Sequence, residues 1–297
     1  MSHNLLLWLI PAIIALFSYG IAQGLVKKYI ADVLPARFCL FFVAAKALVN
    51  MGYFLTQAHP NPFSSESRSF FWIGLLAYLL DGSGWILYYK SIVLGPITIV
   101  GTLSAAYPAT TVVFAAFFLG EILTPIQYVG VSLVILSCIG LSIAPSDPNS
   151  RTQGHKWIFL AAGALIIWGA AQTLVKYAYT LPEASEANMA LFNTIGGALT
   201  LGVYGMLYGR ATGDAGSSGS EWLKATIPMS MMAGGDLGVI IASRYGKISV
   251  VTPLTAAYPV VTLVFAAAAL KEKITPAQWL CISMTLIGMY LSPNWSG

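Results

Sequence analysis

Ten stretches of roughly 20 mostly apolar residues dominate this chain of 297 residues. A helix needs about 20 such residues to cross the hydrocarbon core of a bilayer, so each stretch is long enough to span a membrane. Apolar residues fill every face of these stretches, without the alternation that is typical of a lipid-facing barrel strand. We therefore predict an all-α membrane protein with ten transmembrane helices, near residues 5–26, 38–57, 69–89, 96–119, 124–144, 157–175, 187–208, 225–243, 248–270 and 275–293.

The composition supports a membrane protein and excludes several other classes. Only 9% of the residues are charged, whereas a soluble domain carries about 25%. The basic residues are scattered rather than gathered in one stripe, so nucleic acid is not an expected partner. The three cysteines lack the spacing of a metal site, and the chain has no nucleotide-binding loop. We expect no metal and no cofactor, and the lipid bilayer and a small-molecule substrate as the partners.

The chain contains an internal duplication. Residues 97–128 align without a gap to residues 248–279, with 17 of the 32 positions identical at an offset of 151. The starts of the two halves also match, because GIAQGLVK at 20–27 corresponds to GAAQTLVK at 169–176. Composition bias does not bring so many polar and proline positions into register. The sequence therefore predicts two related halves, residues 1–149 and 150–297.

The number of helices in each half determines how the halves are oriented. Five is an odd number, so the second half enters the membrane from the side opposite to the first. This arrangement is an inverted repeat, with a pseudo-two-fold axis in the membrane plane and a site near mid-membrane. Such a site can open alternately to either face.

Four residues carry a resemblance to a known family. Each repeat has a proline in its fourth span, Pro108 and Pro259, and a glutamate soon after it, Glu121 and Glu272. Together with the five-helix repeats, these features resemble the EamA-type branch of the drug/metabolite transporter superfamily. The resemblance implies a non-enzymatic, multi-pass exporter or exchanger of amino acids or other small metabolites in the bacterial inner membrane. It also implies a cavity lined mainly by spans 1, 3, 4, 6, 8 and 9.

Three charged residues lie well inside the predicted spans: Lys46, Asp81 and Asp236. A charge at mid-bilayer costs about 2.5–3.5 kcal/mol on insertion scales, so these residues are expected to pair or to face a polar cavity. Lys46 and Asp81 have similar predicted depths, which makes an ion pair between them sterically feasible. They either bind a charged or zwitterionic substrate, with Asp81 as an alternative proton carrier, or hold helices 2 and 3 together.

Uncharged polar residues and prolines near mid-membrane complete the candidate site. Proline removes a hydrogen bond from the helix and frees the carbonyl one turn earlier, so the fourth span of each repeat is expected to bend and expose polar groups. The glutamines of the two matched motifs either line a cavity or link helices. The further candidates for substrate binding are Tyr107, Tyr258, Gln23, Gln172, Ser104 and Thr255, with Pro108 and Pro259 as structural kinks.

These features favour a secondary transporter that works by alternating access, coupled to a proton or a counter-substrate. A lipid or lipid-linked sugar flippase on the same scaffold is an alternative, and an intramembrane aspartyl protease is a remote one. Basic residues number ten in the odd loops and four in the even loops, which would place the odd loops in the cytoplasm. The resemblance implies the opposite, with both termini cytoplasmic. Whether the protein is a monomer or a dimer stays open.

Overall fold

The computed structural model describes residues 3–29, 33, 35–94, 106–142, 156–209, 219–269 and 274–293. Helices account for most of these residues. In the first repeat, the helices are α1 (His3–Tyr29), α2 (Pro35–Thr56), α3 (Arg68–Leu94), α4 (Tyr107–Leu119) and α5 (Pro125–Ser142).

The second repeat has the same order of spans, with two of them divided. It consists of α6 (Lys156–Ala178), α7 (Glu186–Gly197), a π-helical turn (Ala198–Gly202), α8 (Val203–Tyr208), α9 (Gly219–Tyr245), α10 (Ile248–Ala256), α11 (Tyr258–Ala269) and α12 (Pro276–Leu291). The π-helical turn joins α7 and α8 into the seventh span, and α10 and α11 together form the ninth span.

The helices confirm the predicted ten-span architecture of two inverted five-helix repeats. Seven described spans are long and apolar enough to cross a membrane, and the fourth, fifth and tenth are shorter apolar helices. The beginning of the fourth span, which contains Ser104, lies outside the described residues, as does Glu272.

The fifth helix of each repeat begins with the same local structure. The Thr275 hydroxyl accepts a hydrogen bond from the Gln278 amide, and the Gln278 side chain accepts one from the Thr275 amide. Thr124 and Gln127 make the same two bonds at the start of α5. A proline follows each threonine, where its fixed φ suits the first turn of a helix. The repeated Thr-Pro-x-Gln sequence therefore determines where both helices begin.

Two close helix contacts repeat across the halves. Helix α1 packs on α9, and α3 packs on α6. A Cβ atom at Gly235 of α9 would lie 2.7 Å from the Tyr19 ring of α1, and one at Gly84 of α3 would lie 2.7 Å from the Trp168 ring of α6. Gly84 and Gly235 are 151 residues apart, which is the offset of the duplication. These glycines bring the aromatic rings close to the centre of the protein.

The helix of the ninth span is interrupted just before its proline, Pro259. Helix α10 ends at Ala256, Ala257 has φ −71° and ψ 3°, and α11 begins at Tyr258 with Pro259 in its first turn. Ala106 precedes α4 with φ −82° and ψ −2°, so the matching position has nearly the same backbone conformation. Proline lacks the amide hydrogen that would continue the preceding helix, which accounts for the break.

Candidate functional site

A central cavity lies where the two repeats meet. Its empty volume is about 750 Å³, including the part that is open to its surroundings. The lining comes from spans 1, 3, 4, 6, 8 and 9, as the resemblance implied, and from one residue of span 7. The lining residues are Tyr19, Gln23, Tyr78, Asp81, Trp85, Tyr107, Trp168, Gln172, Asn193, Met232, Asp236, Val239 and Tyr258.

The structure brings most of the candidate residues from the sequence to this cavity. Both acids line it, and so do the tyrosines and the glutamines of the duplicated motifs. Their part in binding a substrate stays a prediction. The candidates that line the cavity are Asp81, Asp236, Tyr107, Tyr258, Gln23 and Gln172.

Lys46 and Thr255 do not line the cavity. Thr255 is buried in α10, and its hydroxyl donates to the backbone carbonyls of Val251 and Thr252. Lys46 is only 1% exposed and lies behind the cavity wall. Ser104 lies outside the described residues.

Lys46 pairs with Asp236 instead of the expected Asp81. Its Nζ lies 2.8 Å from Asp236 Oδ2 and donates a 2.8 Å hydrogen bond to Asn193 Oδ1. The same ammonium group lies 4.5 Å from the centre of the Phe42 ring. Helix α2 packs against both α7 and α9, so Lys46 meets groups from the second repeat that depth alone did not indicate. The Tyr19 hydroxyl donates a 2.6 Å hydrogen bond to Asp236 Oδ1.

Asp81 has different surroundings. None of the described residues donates a hydrogen bond to its carboxylate or forms an ion pair with it. Its backbone carbonyl accepts a 3.2 Å hydrogen bond from Trp168 Nε1, which fixes α3 against α6. The Trp168 ring centre lies 5.2 Å from that of Trp85 and 5.7 Å from that of Tyr107. The Asp81 carboxylate therefore has no partner in the described part of the chain and shares the cavity with a cluster of aromatic rings.

The sequence did not indicate four of the aromatic side chains that line the cavity, nor Asn193; the four are Tyr19, Tyr78, Trp85 and Trp168. A signal for two of them was present, because Tyr19 and Trp168 directly precede the matched glycines of the GxxQ motifs at residues 20–23 and 169–172. The offset of 151 also pairs Trp85 with Asp236. No comparable signal marks Asn193, whose position depends on the packing of α7.

Comparisons with known proteins identify the family. The sequence pattern of the EamA-like transporter family matches residues 6–143 and again residues 155–292, once in each half. The chain belongs to the EamA-like transporter family. As a member of this family, it is a multi-pass membrane transporter. The family match confirms the resemblance noted from the sequence.

Two further similarities cover less of the chain or have a lower identity. A segment of 84 residues is 31% identical to the uncharacterized transporter YwfM of Bacillus subtilis (strain 168) and covers 28% of this chain and 27% of that protein. A solved crystal structure superimposes with a TM-score of 0.72 over 95% of this chain and 94% of its own, at 18% identity. The latter similarity shows the shared fold alone.

Polar contacts connect the two repeats of this EamA protein at the end of the helix bundle where α1 begins. Glu121, which precedes α5, accepts 3.0 Å hydrogen bonds from the amides of Ile248 and Ser249 and a 2.5 Å bond from the Ser249 hydroxyl. In return, Lys247 Nζ donates a 2.6 Å bond to the Ile122 carbonyl. A carboxylate at a helix N-terminus accepts hydrogen bonds from amides that have no partner within the helix, and it interacts favourably with the positive end of the helix dipole. Glu121 therefore stabilises the start of α10.

Further contacts at the same end lie within the second repeat. Lys176 Nζ donates to the carbonyls of Ser243, Arg244 and Gly246 at 3.0, 3.2 and 2.7 Å, where α9 ends. Arg244 forms an ion pair with Glu186 at the start of α7. The lysine of the duplicated LVK motif thus caps a helix C-terminus, a position that favours a cation. Among the described residues, no cluster of His, Cys, Asp or Glu could hold a metal ion.

Proposed function

We propose that this EamA-family protein is a secondary transporter that carries a small polar or amphipathic metabolite through its central cavity by alternating access. The observation that carries the proposal is the cavity itself, which lies between two inverted repeats and receives one carboxylate from each, Asp81 and Asp236. Inverted repeats typically place the substrate near the bilayer midplane and move against each other around it.

The contacts at one end of the protein support this mechanism. Glu121 and Ile122 belong to the first repeat, whereas Lys247, Ile248 and Ser249 belong to the second. The bonds between them hold the repeats together where α1 begins. In an alternating cycle, they break when the cavity opens at that end and form again when it closes.

The two acids are suited to different tasks in such a cycle. Asp236 is held by Lys46 and Tyr19, so it helps to keep the repeats in position. Asp81 has no such partner among the described residues, so it can bind a substrate or carry a coupling proton. We assign the protein to the bacterial inner membrane as an exporter or exchanger, with a proton or a counter-substrate as the driving species.

The ion pair of Asp236 argues against the aspartyl protease alternative. The two carboxylates of an aspartic protease share a proton and act as one acid–base unit. In this protein, Lys46 compensates Asp236, while Asp81 stands without a counter-charge in the described residues. The two acids are therefore not equivalent members of a dyad.

Transport is tested with the purified full chain in proteoliposomes. The vesicles are loaded with a mixed metabolite pool, diluted, and assayed for counterflow of each labelled compound, with and without a pH gradient. We expect counterflow of at least one small metabolite above protein-free vesicles. Loss of a fluorescent phospholipid from one leaflet without any metabolite counterflow would favour the flippase, and no movement of either would refute the transporter.

A further inference from the structure

We propose that the central cavity selects organic cations, and that the Asp81 carboxylate binds the protonated amine of a singly charged substrate beside the rings of Trp85, Trp168 and Tyr107. This inference rests on the transporter function proposed above and specifies the chemical class of its substrate.

The charges around the cavity leave one negative charge without a counter-ion. Asp81 and Asp236 are the charged residues among the described lining, and Lys46 is paired with Asp236 at 2.8 Å. The segment 95–105, which connects α3 to α4 in the sequence, lies outside the described residues and contains no Lys, Arg, Asp or Glu. An uncompensated carboxylate inside a membrane is costly. A cationic substrate would compensate it while bound.

The same arrangement disfavours zwitterions and anions. A substrate carboxylate needs a cation, and Lys46 is the nearest candidate in the described structure. Lys46 is only 1% exposed, and its Nζ already contacts Asp236 and Asn193. To bind a carboxylate, Lys46 would have to leave Asp236, which would leave a second buried charge unpaired. The cavity is therefore suited to an amine without a carboxylate, rather than to an amino acid.

Aromatic rings near Asp81 provide a second attraction for a cation. The Trp168 ring lies 5.2 Å from Trp85, 5.6 Å from Tyr88 and 5.7 Å from Tyr107, measured between ring centres. The faces of such rings attract ammonium groups, and their apolar area packs against a hydrocarbon part of the substrate. An amphipathic amine satisfies both features.

A hydrogen-bond acceptor indicates that the bound amine carries N–H groups. Gln172 lines the cavity, and its Oε1 atom is buried without a hydrogen-bond partner in the described structure. Buried acceptors are usually satisfied, so this oxygen is suited to a donor on the substrate. A primary amine can donate to both Asp81 and Gln172, whereas a quaternary ammonium ion has no hydrogen to donate. The cavity therefore favours primary over quaternary amines.

The test compares four probes that share a phenyl ring and differ in charge. Binding of phenethylamine, L-phenylalanine, 3-phenylpropionate and trimethyl(2-phenylethyl)ammonium to the purified full chain is measured at pH 7 by tryptophan fluorescence and thermal shift. Phenethylamine is expected to bind at least about tenfold more tightly than the zwitterion or the anion, and more tightly than the quaternary ion.

Three variants connect that preference to Asp81. Asp81→Asn is expected to weaken phenethylamine binding at least about tenfold, since the charge-assisted hydrogen bond is lost. Asp81→Glu keeps the charge and is expected to keep the preference for the cation. Glu66→Gln makes the same carboxylate-to-amide change in an exposed loop, and we expect no effect.

The inference is overturned if the zwitterion or the anion binds as tightly as the amine, or if Asp81→Asn binds the amine like the wild type. It is also overturned if none of the four probes binds. The transporter function is judged separately by the proteoliposome assay, in which neutral and zwitterionic compounds are also tested. If such compounds show counterflow and cations are not preferred, the transporter function is supported and the proposed cation site is refuted.

Discussion

Lys46 of the first repeat and Asp236 of the second form an ion pair beside the central cavity, with 2.8 Å between Nζ and Oδ2. The pair links α2 to α9, and the Tyr19 hydroxyl of α1 holds the second carboxylate oxygen at 2.6 Å. A charge pair in these surroundings is compensated only while both partners are present. The pair therefore makes the fit between the repeats depend on two residues that are far apart in the sequence.

Removing one partner of this pair should destabilise the protein more than removing both. Lys46→Met and Asp236→Asn each leave one buried charge alone, which costs about 3–5 kcal/mol. The double variant leaves neither charge, so we expect a higher melting temperature than in either single variant. Thermal unfolding of the purified proteins in one detergent measures the effect. If the fall in melting temperature of the double variant equals the sum of the two single falls, the two residues do not stabilise the protein as a pair.

Asp81→Asn should abolish transport without loss of stability. The carboxylate has no partner among the described residues, so its neutralisation breaks no contact there and removes an uncompensated charge. We expect at least about a tenfold fall in the counterflow rate, with an unchanged or higher melting temperature. Asp236→Asn is the matched comparison, because there the melting temperature should fall. A wild-type counterflow rate in Asp81→Asn would remove the functional role of this residue.

Gly84→Ala and Gly235→Ala should both destabilise the protein, by a similar amount. Each new methyl group would lie 2.7 Å from an aromatic ring, Trp168 or Tyr19, so the α3–α6 or α1–α9 contact must widen. Overpacking of this kind costs about 1–3 kcal/mol. Gly234→Ala is the control, since a Cβ there meets nothing within 4 Å and alanine favours the helix by about 1 kcal/mol.

Melting temperatures of these three glycine variants test the contacts directly. We expect Gly84→Ala and Gly235→Ala to melt below the wild type, and Gly234→Ala at or above it. Equal melting temperatures for Gly234→Ala and Gly235→Ala would show that the close contact between α1 and α9 does not require a glycine at position 235.

Glu121→Ala should loosen the start of α10. The variant loses the acceptor for the amides of Ile248 and Ser249, so these amides are expected to exchange hydrogen about tenfold faster. Hydrogen–deuterium exchange of the peptide that covers 246–252 measures this change. The start of α12, capped by Thr275 and Gln278, is an internal control and should exchange as in the wild type. Unchanged exchange at 246–252 would exclude a capping role for Glu121.

The membrane class, the number of spans and the inverted repeat were determined by the sequence. Span length depends on the count of consecutive apolar residues, and the orientation of the repeats follows from five spans per half. The starts of α5 and α12 could be read from Thr-Pro-x-Gln, because helix capping involves residues only three positions apart. These features are local or depend on register along the chain, so no knowledge of packing was needed.

Only the tertiary structure decided which groups meet in the cavity. Depth in the membrane placed Lys46 near Asp81, but depth says nothing about the direction in which a helix face points or which helices are its neighbours. Because α2 packs against α7 and α9, Lys46 contacts Asp236 and Asn193. Asp81 lies instead beside the aromatic rings of the cavity. The acids are also displaced by one helical turn between the repeats, so equivalent positions have different partners. The charge balance of the site therefore arises from helix packing, which the apolar pattern of a membrane span does not encode.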